Sequence, residues 1–248
     1  MKLRLNPAYL QKESKFEKLL LDFQDSGKEF GNSRRNELKT FNLDGDKLLI
    51  KSFKVPNFIN KIAYKYIRKS KARRSFENAN YLQKHDLGTP TPMAYAEQKG
   101  ILFGRSYYIC EKLDYDLTIR ELIHDPNYPD GENILRAFTR FSFNMHENHV
   151  NFLDHSPGNS LIVKTKEAYE IYLVDLNRME FKEMDFEARM KNFHRITPLK
   201  EMAAIIANEY SKLIPQTETE VFEKLWGYIC EFQEKAARKK EMKKRLGL

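Results

Sequence analysis

Cysteine is nearly missing: Cys110 and Cys230 are the only two in a chain of 248 residues. So few thiols exclude a disulfide-stapled scaffold and fit a protein kept in a reducing cytoplasm. Long apolar runs are missing as well. None approaches the roughly 18 residues that a membrane-crossing helix needs. The opening Met1-Lys-Leu-Arg-Leu-Asn leads into charged residues without the apolar core of a secretory signal. No internal repeat or low-complexity linker interrupts the chain. What is present is the composition of a folded protein, with 41% hydrophobic and 12% aromatic residues. The length fits one large domain or two tightly joined lobes.

Charge is unbalanced toward base: 43 Lys and Arg against 35 Asp and Glu, a formal +8. That excess favours a polyanionic partner such as an anionic lipid surface or a phosphorylated glycan. Two clusters carry much of it. Residues 61–74 hold Lys61, Lys65, Arg68, Lys69, Lys71, Arg73 and Arg74 with no acid, and the tail holds Arg238, Lys239, Lys240, Lys243, Lys244 and Arg245 around Glu241. Nucleic acid is not expected, because no recognised module or aromatic-basic interleaving accompanies the charge.

Hydrophobic periodicity predicts strands near Leu19–Phe23 and Asn36–Phe41 around a polar turn containing Gly27 and Gly31. The hairpin signal Asn42-Leu-Asp-Gly45-Asp leads to a further strand, Leu48–Phe53. Helical spacing follows over 57–69 and 71–85, then strands near Met93–Glu97 and Ser106–Cys110. From Leu117 the pattern is mainly helical, broken by two short strands, Ser160–Val163 and Tyr169–Val174, and it ends in an amphipathic segment through Val221, Leu225 and Ile229. The expected architecture is α+β and bilobal: a first lobe over 1–112 with an antiparallel sheet and one main helix region, and a mainly helical second lobe over 113–248.

The richest stretch is His149-Val-Asn-Phe-Leu-Asp154-His-Ser-Pro-Gly-Asn159, followed by Val174-Asp175-Leu-Asn-Arg178. Phosphoryl transfer from ATP needs such a set. One carboxylate takes the acceptor's proton, while an amide and a second carboxylate hold magnesium against the phosphates. Asp154 is therefore the candidate catalytic base, and Asn159 and Asp175 are the candidate Mg²⁺ ligands. Alone, Asp154 and Asn159 would also suit an Asx-type turn around Pro157-Gly158. Lys51, on the apolar strand Leu-Leu-Ile-Lys, needs a polar destination, and an ATP phosphate with Glu77 as counter-ion supplies one. Gly27 and Gly31 would let the backbone approach the phosphates, with Ser33 as a further donor, although an ordinary hairpin is nearly as good a reading. Arg34 and Arg35 could meet an anionic acceptor. Backbone groups of Glu111 and Leu113 are placed to pair with the adenine edge, with Cys110 behind them.

Lys51, Glu77, Asp154, Asn159 and Asp175 occur in protein-kinase order. The wording Ser-Pro-Gly-Asn, then Val-Asp-Leu-Asn-Arg-Met, with Lys51-Ser-Phe-Lys-Val-Pro-Asn57, Ser75-Phe-Glu-Asn-Ala79 and Thr89-Pro-Thr-Pro92, resembles the lipopolysaccharide core kinases, the Kdo and heptose kinase family, in forms typical of Bacteroidetes-type bacteria. The resemblance covers about residues 20–210. It implies a protein-kinase-like fold, ATP and Mg²⁺ as cofactors, and a Kdo or heptose hydroxyl of the lipopolysaccharide inner core as acceptor. It also implies Kdo-lipid A as partner and work at the cytoplasmic face of the inner membrane, and the basic clusters at 61–74 and 238–245 are candidates for peripheral contact with that anionic surface. Departures from the protein-kinase pattern are informative. Phe152 and Leu153 stand where His-Arg precedes the catalytic Asp, Leu-Asn follows Asp175 in place of Phe-Gly, and no Ala-Pro-Glu segment appears. Without that Arg, no pocket for an activation-loop phosphate is expected. These losses favour a glycan acceptor. They also keep open an atypical protein kinase, another small-molecule kinase of the same fold, or a pseudokinase scaffold.

Overall fold

The computed structural model describes residues 1–31, 36–55, 69–99 and 103–247. It divides into two compact units, Met1–Asp114 with Asp175–Arg178, and Tyr115–Val174 with Met179–Leu248.

The first unit is built on a six-stranded antiparallel sheet. Its strands are β1 (Lys2–Leu5), β2 (Lys28–Glu29), β3 (Asn36–Leu43), β4 (Asp46–Phe53), β5 (Pro92–Lys99) and β6 (Phe103–Glu111), in the spatial order β1-β5-β6-β4-β3-β2. Period-two alternation sends successive side chains to opposite faces. Leu48, Ile50, Ala94, Ala96 and Ile109 share a core with Phe16 and Leu20 of helix α1 (Glu13–Leu21). On the other face Tyr95 meets Phe76 of helix α2 (Lys71–Lys84), with ring centroids 5.3 Å apart. Lys51 also belongs to this second face. It lies opposite Tyr108 in the β4–β6 register.

Two expectations change here. The segment around Leu19–Phe23 is not a strand: α1 covers its first half and a turn the rest. Phe16 and Leu20 are spaced one helical turn apart and fully or nearly buried, and a short apolar run of this kind fits helix or strand by periodicity alone. The sheet also has a strand the pattern did not show, β1, which pairs Leu3 with Ala96. The Asp44-Gly45 hairpin and helix α2 lie where they were expected. The expected helix over 57–69 lies outside the described residues apart from Lys69, as do Ser33, Arg34, Arg35 and much of the first basic cluster.

The second unit is mainly helical: α3 (Ile119–His124), α4 (Gly131–Glu147), α5 (Phe186–Asn192), α6 (Lys200–Ser211) and α7 (Glu218–Arg245). In α4, Ile134, Leu135, Phe138 and Met145 recur on one stripe and are buried, which is the spacing that makes a helix amphipathic. Val221, Leu225 and Ile229 do the same for α7, whose start is fixed by a capping box between Thr217 and Glu220. Strands β9 (Ser160–Lys164) and β10 (Tyr169–Leu173) form the expected hairpin, and β7 (Leu117–Thr118) extends it. A separate pair, β8 (Val150–Phe152) and β11 (Met179–Phe181), sets Phe152 opposite Met179. An ionic knot links α4 to α6: Glu209 receives Arg136 at 2.9 Å and Lys212 at 3.0 Å, and Arg140 as well. Burial would raise the Glu209 carboxyl, but these three donors bring its pKa down to about 2. Among the described residues, no helix is long and apolar enough to cross a membrane.

Candidate phosphoryl-transfer site

In the second unit, β8 delivers the chain into a loop that closes on itself. The Asn159 side-chain amide donates to the Asp154 carbonyl at 2.8 Å, and its backbone N–H donates to the Ser156 carbonyl at 2.9 Å. The Val174 N–H in turn donates to the Asn159 carbonyl at 3.0 Å, tying the loop to the end of β10. With Asn159 Nδ2 used in this way, its Oδ1 is the atom left to face a cation. The Asp154 carboxylate does not join the loop's internal bonds. It pairs with the Arg195 guanidinium, from the chain after α5.

Beneath the loop lies a buried polar network that sequence reasoning missed. His155 is 1% exposed and its Nδ1 lies 2.7 Å from Asn192 Oδ1; His146 Nε2 lies 3.2 Å from the same oxygen, and His146 Nδ1 lies 2.8 Å from the Tyr210 hydroxyl. The Asn192 amide donates to Asn151 Oδ1 at 2.9 Å and to the Phe152 carbonyl at 3.1 Å. One asparagine on α5 thus fixes β8 and the residue after Asp154 together. Burial lowers the pKa of His146 to about 3 and of His155 to about 4, so both rings are neutral. Phe152, which replaces the usual His, is 1% exposed and packs against the His155 ring at 5.8 Å. The sequence signal that could have found it is the place of His146 two helical turns after Phe138, on the apolar stripe of α4.

In the first unit, Lys51 Nζ donates to Asp175 Oδ1 at 2.6 Å, and the Asn177 amide donates to the same oxygen at 2.7 Å. The Lys51 side chain is 14% exposed and also lies over the Phe53 ring at 5.3 Å, so a compensating carboxylate is required. Sequence order points to Glu77 for that part. Among the described contacts, Glu77 is instead held by Lys69 and Arg73, each at 2.8 Å. The reason is local: Arg73 sits one helical turn before Glu77 on the basic start of α2, where such pairs form readily. Helix α2 reaches the Asp175 segment through Asn78, whose amide donates to the Leu176 carbonyl at 2.6 Å. Asp175 itself has φ +60°, a left-handed conformation that is uncommon for a non-glycine residue and concentrated at functional sites.

The remaining expected residues also lie in the first unit. The Glu111 N–H donates to the Thr91 carbonyl at 2.9 Å, so its carbonyl is the backbone atom left for a purine edge. Leu113 is half-buried two residues on. Cys110 is buried, and burial pushes its thiol up to about 12, which makes it an inert packing residue. Gly27 has φ +81°, and a Cβ there would fall 2.4 Å from the Phe41 ring, so core packing alone demands glycine. Gly31, with φ +72°, faces open space.

A metal could be held here only in company. Among the described residues, no group of three or more His, Cys, Asp or Glu could hold an ion. The Asp175 carboxylate in the first unit and the Asn159 amide oxygen in the second are each hard oxygens of the kind that Mg²⁺ accepts.

No curated protein sequence matches the chain. Among solved structures, one described as "WaaP in complex with acyl carrier protein" is similar in fold. It has a TM-score of 0.64 and 16% sequence identity, over 96% of this chain and 99% of that one. Residues 14–215 match the lipopolysaccharide kinase (Kdo/WaaP) family. The protein-kinase-like α+β fold and the match over most of the chain agree: the chain belongs to the lipopolysaccharide kinase (Kdo/WaaP) family and is an ATP-dependent phosphotransferase acting on a sugar hydroxyl of lipopolysaccharide.

Proposed function

We propose that the acceptor is a Kdo or heptose hydroxyl of the inner core, presented on Kdo-lipid A, and that Asp154 takes its proton. The observation that carries this reading is the Asp154 loop. Its backbone is locked by Asn159 and Asn192 while the carboxylate stays 22% exposed and points to a cation instead of the loop. A base must be positioned yet reachable, and this one is both. Lys51 is assigned to the nucleotide phosphates, with Asn177 orienting Asp175. Glu111 and Leu113 are assigned to the adenine edge, Gly31 to the turn nearest the phosphates, and Asn159 and Asp175 to Mg²⁺. When bound, that ion would neutralise charge on the β- and γ-phosphates. Glu77 is assigned only an indirect part, through the start of α2. Gly27 is assigned none.

The test is turnover by the purified protein with ATP and three acceptors: Kdo-lipid A, a heptosylated core, and a generic protein substrate. Transfer to one of the glycans and not to the protein supports the reading. Transfer to the protein alone sinks it.

The same reading places the enzyme at the inner face of the inner membrane, where such an acceptor lies. From Glu231 onward α7 is exposed at every position. Lys235, Arg238 and Arg245 pair with acids one turn away, but among the described residues no acid pairs with Lys239, Lys240, Lys243 or Lys244. Each such cation contributes about 1 kcal/mol at an anionic leaflet. Binding to vesicles containing anionic phospholipid should therefore fall steeply as salt rises, and a variant ending before Arg238 should lose it. Binding that ignores salt would point to apolar insertion instead.

A further inference from the structure

We infer that Asn78, and not the neighbouring Glu77, is the residue through which helix α2 sets the position of Asp175. The inference rests on the metal role given to Asp175 above and supplies a positioning residue for it. Asp175–Arg178 belongs to the first unit, as do β4 and α2, so the contacts among them lie within one compact body.

The phase of α2 decides which of the two residues can do this. Ser75, Asn78 and Leu82 recur at i, i+3 and i+7 and are all buried, so they form the inward stripe of the helix. Glu77 stands one residue off that stripe, about 100° around the axis. Its side chain is 34% exposed, held by Lys69 just before the helix and by Arg73 one turn back. Bringing Glu77 inward would turn Asn78 out and break both pairs.

Asn78 is 8% exposed, and its amide nitrogen donates to the Leu176 carbonyl at 2.6 Å. The acceptor is a carbonyl, so only the nitrogen of the amide can face it, which fixes the side chain's orientation. Leu176 is itself buried, and without this donor its carbonyl would lose its bond away from water, a cost relieved only by a shift of the segment. Such a shift would reach Asp175, the next residue back along the chain. Asp175 holds φ +60°, and a non-glycine residue keeps that conformation only where its surroundings over-determine it. Three donors do so. Lys51 and Asn177 bind the carboxylate at Oδ1, at 2.6 and 2.7 Å, while Asn78 holds the main chain one residue on. The first two act on the charge, and Asn78 acts on where that charge is placed. Groups standing behind a metal ligand in this way hold it in the orientation the ion needs.

The experiment measures two affinities: that for a non-hydrolysable ATP analogue without divalent metal, and that for Mg²⁺ with the analogue saturating. It uses the wild type, Asn78→Leu, Asn78→Asp, Glu77→Gln and Asp175→Asn. Leucine removes the donor and adds no charge. Aspartate keeps the shape of asparagine without its N–H, and carries the test if the leucine variant does not fold. Both Asn78 variants should weaken Mg²⁺ by about 10–100-fold, the usual effect of losing a group behind a metal ligand, with metal-free nucleotide affinity within about threefold. Glu77→Gln should weaken Mg²⁺ by less than about threefold, since a solvent-facing pair of its kind contributes little. In protein free of metal and nucleotide, amide hydrogen exchange over Asp175–Arg178 should be faster in the Asn78 variants than in the wild type. Unchanged Mg²⁺ affinity or unchanged exchange in those variants overturns the inference. So does Glu77→Gln weakening Mg²⁺ as much as Asn78→Leu, or an Asn78 variant losing metal-free nucleotide binding in the same proportion, which would mark Asn78 as a general support. Asp175→Asn separates the two levels. Unchanged Mg²⁺ affinity there removes the metal role of Asp175 and this inference with it, whereas weakened affinity there beside intact Asn78 variants removes only the role of Asn78.

Discussion

Asp154→Asn is expected to lower phosphoryl transfer by roughly 10²–10⁴-fold, the usual contribution of a positioned general base, while ATP binds nearly as before. Asparagine matches aspartate in shape and can still accept a hydrogen bond from Arg195 through its amide oxygen, so the loop held by Asn159 and Asn192 keeps its course. What it cannot do is accept a proton. Lys51, assigned to the nucleotide phosphates, and Asp175, assigned to Mg²⁺, are bonded to each other at 2.6 Å and make no use of Asp154. A fall in kcat with an unchanged Kd for ATP and an unchanged Tm would fit this account. An unchanged rate would remove Asp154 from the chemistry, and a lost Tm would make its role structural.

Acid should destabilise the protein well before its carboxylates protonate. His146 and His155 are buried and neutral in the folded state, with pKa values of about 3 and about 4 against 6.5 for an ordinary histidine. Below pH 6.5 the unfolded chain binds two protons that the folded chain refuses. Stability therefore rises with pH through this window and is complete above it. As pH falls below 6.5 the loss steepens to about 2–3 kcal/mol per pH unit near pH 5, slackens toward pH 4 as His155 begins to protonate in the folded state, and totals roughly 5 kcal/mol by pH 4.5. That is comparable to the whole stability of many domains. His194, lowered in the same direction mainly by its partial burial, adds to the trend. Urea unfolding at a series of pH values checks this, and His155→Phe should halve the slope. A flat profile between pH 6.5 and 4.5 would contradict the buried neutral pair.

Both effects trace to residues that differ in how visible they were in the sequence. The Asp154–Asn159 stretch stands out because polar residues crowd a Gly- and Pro-containing loop, and Asp175 because it is a carboxylate at a strand end just beyond a short hairpin. The strands around Lys51 were legible from alternation, and α2 and α4 from helical spacing. Arg195 and Asn192 were not legible. They approach the loop from 41 and 37 positions or more along the chain, as Arg195 does to Asp154 and Asn192 to His155, and no local pattern marks an arginine or an asparagine for such work. The partner of Lys51 was misassigned for a related reason. Sequence order suggested a helix carboxylate, whereas Arg73 satisfies Glu77 one turn away and leaves Lys51 to Asp175. Residues Leu19–Phe23 were read as strand because five residues rich in leucine and phenylalanine do not declare their period, and the start of α1 at Glu13 lies outside that window.

A kinase of this family moves the γ-phosphoryl of ATP onto a sugar of lipopolysaccharide. ATP labelled in its γ-phosphate, incubated with the purified protein and Kdo-lipid A, reads this transfer. Label should appear on the glycan as a phosphate monoester, and only when Asp154 is intact. Label found solely in free phosphate or on the protein, with the glycan unmodified, would contradict it.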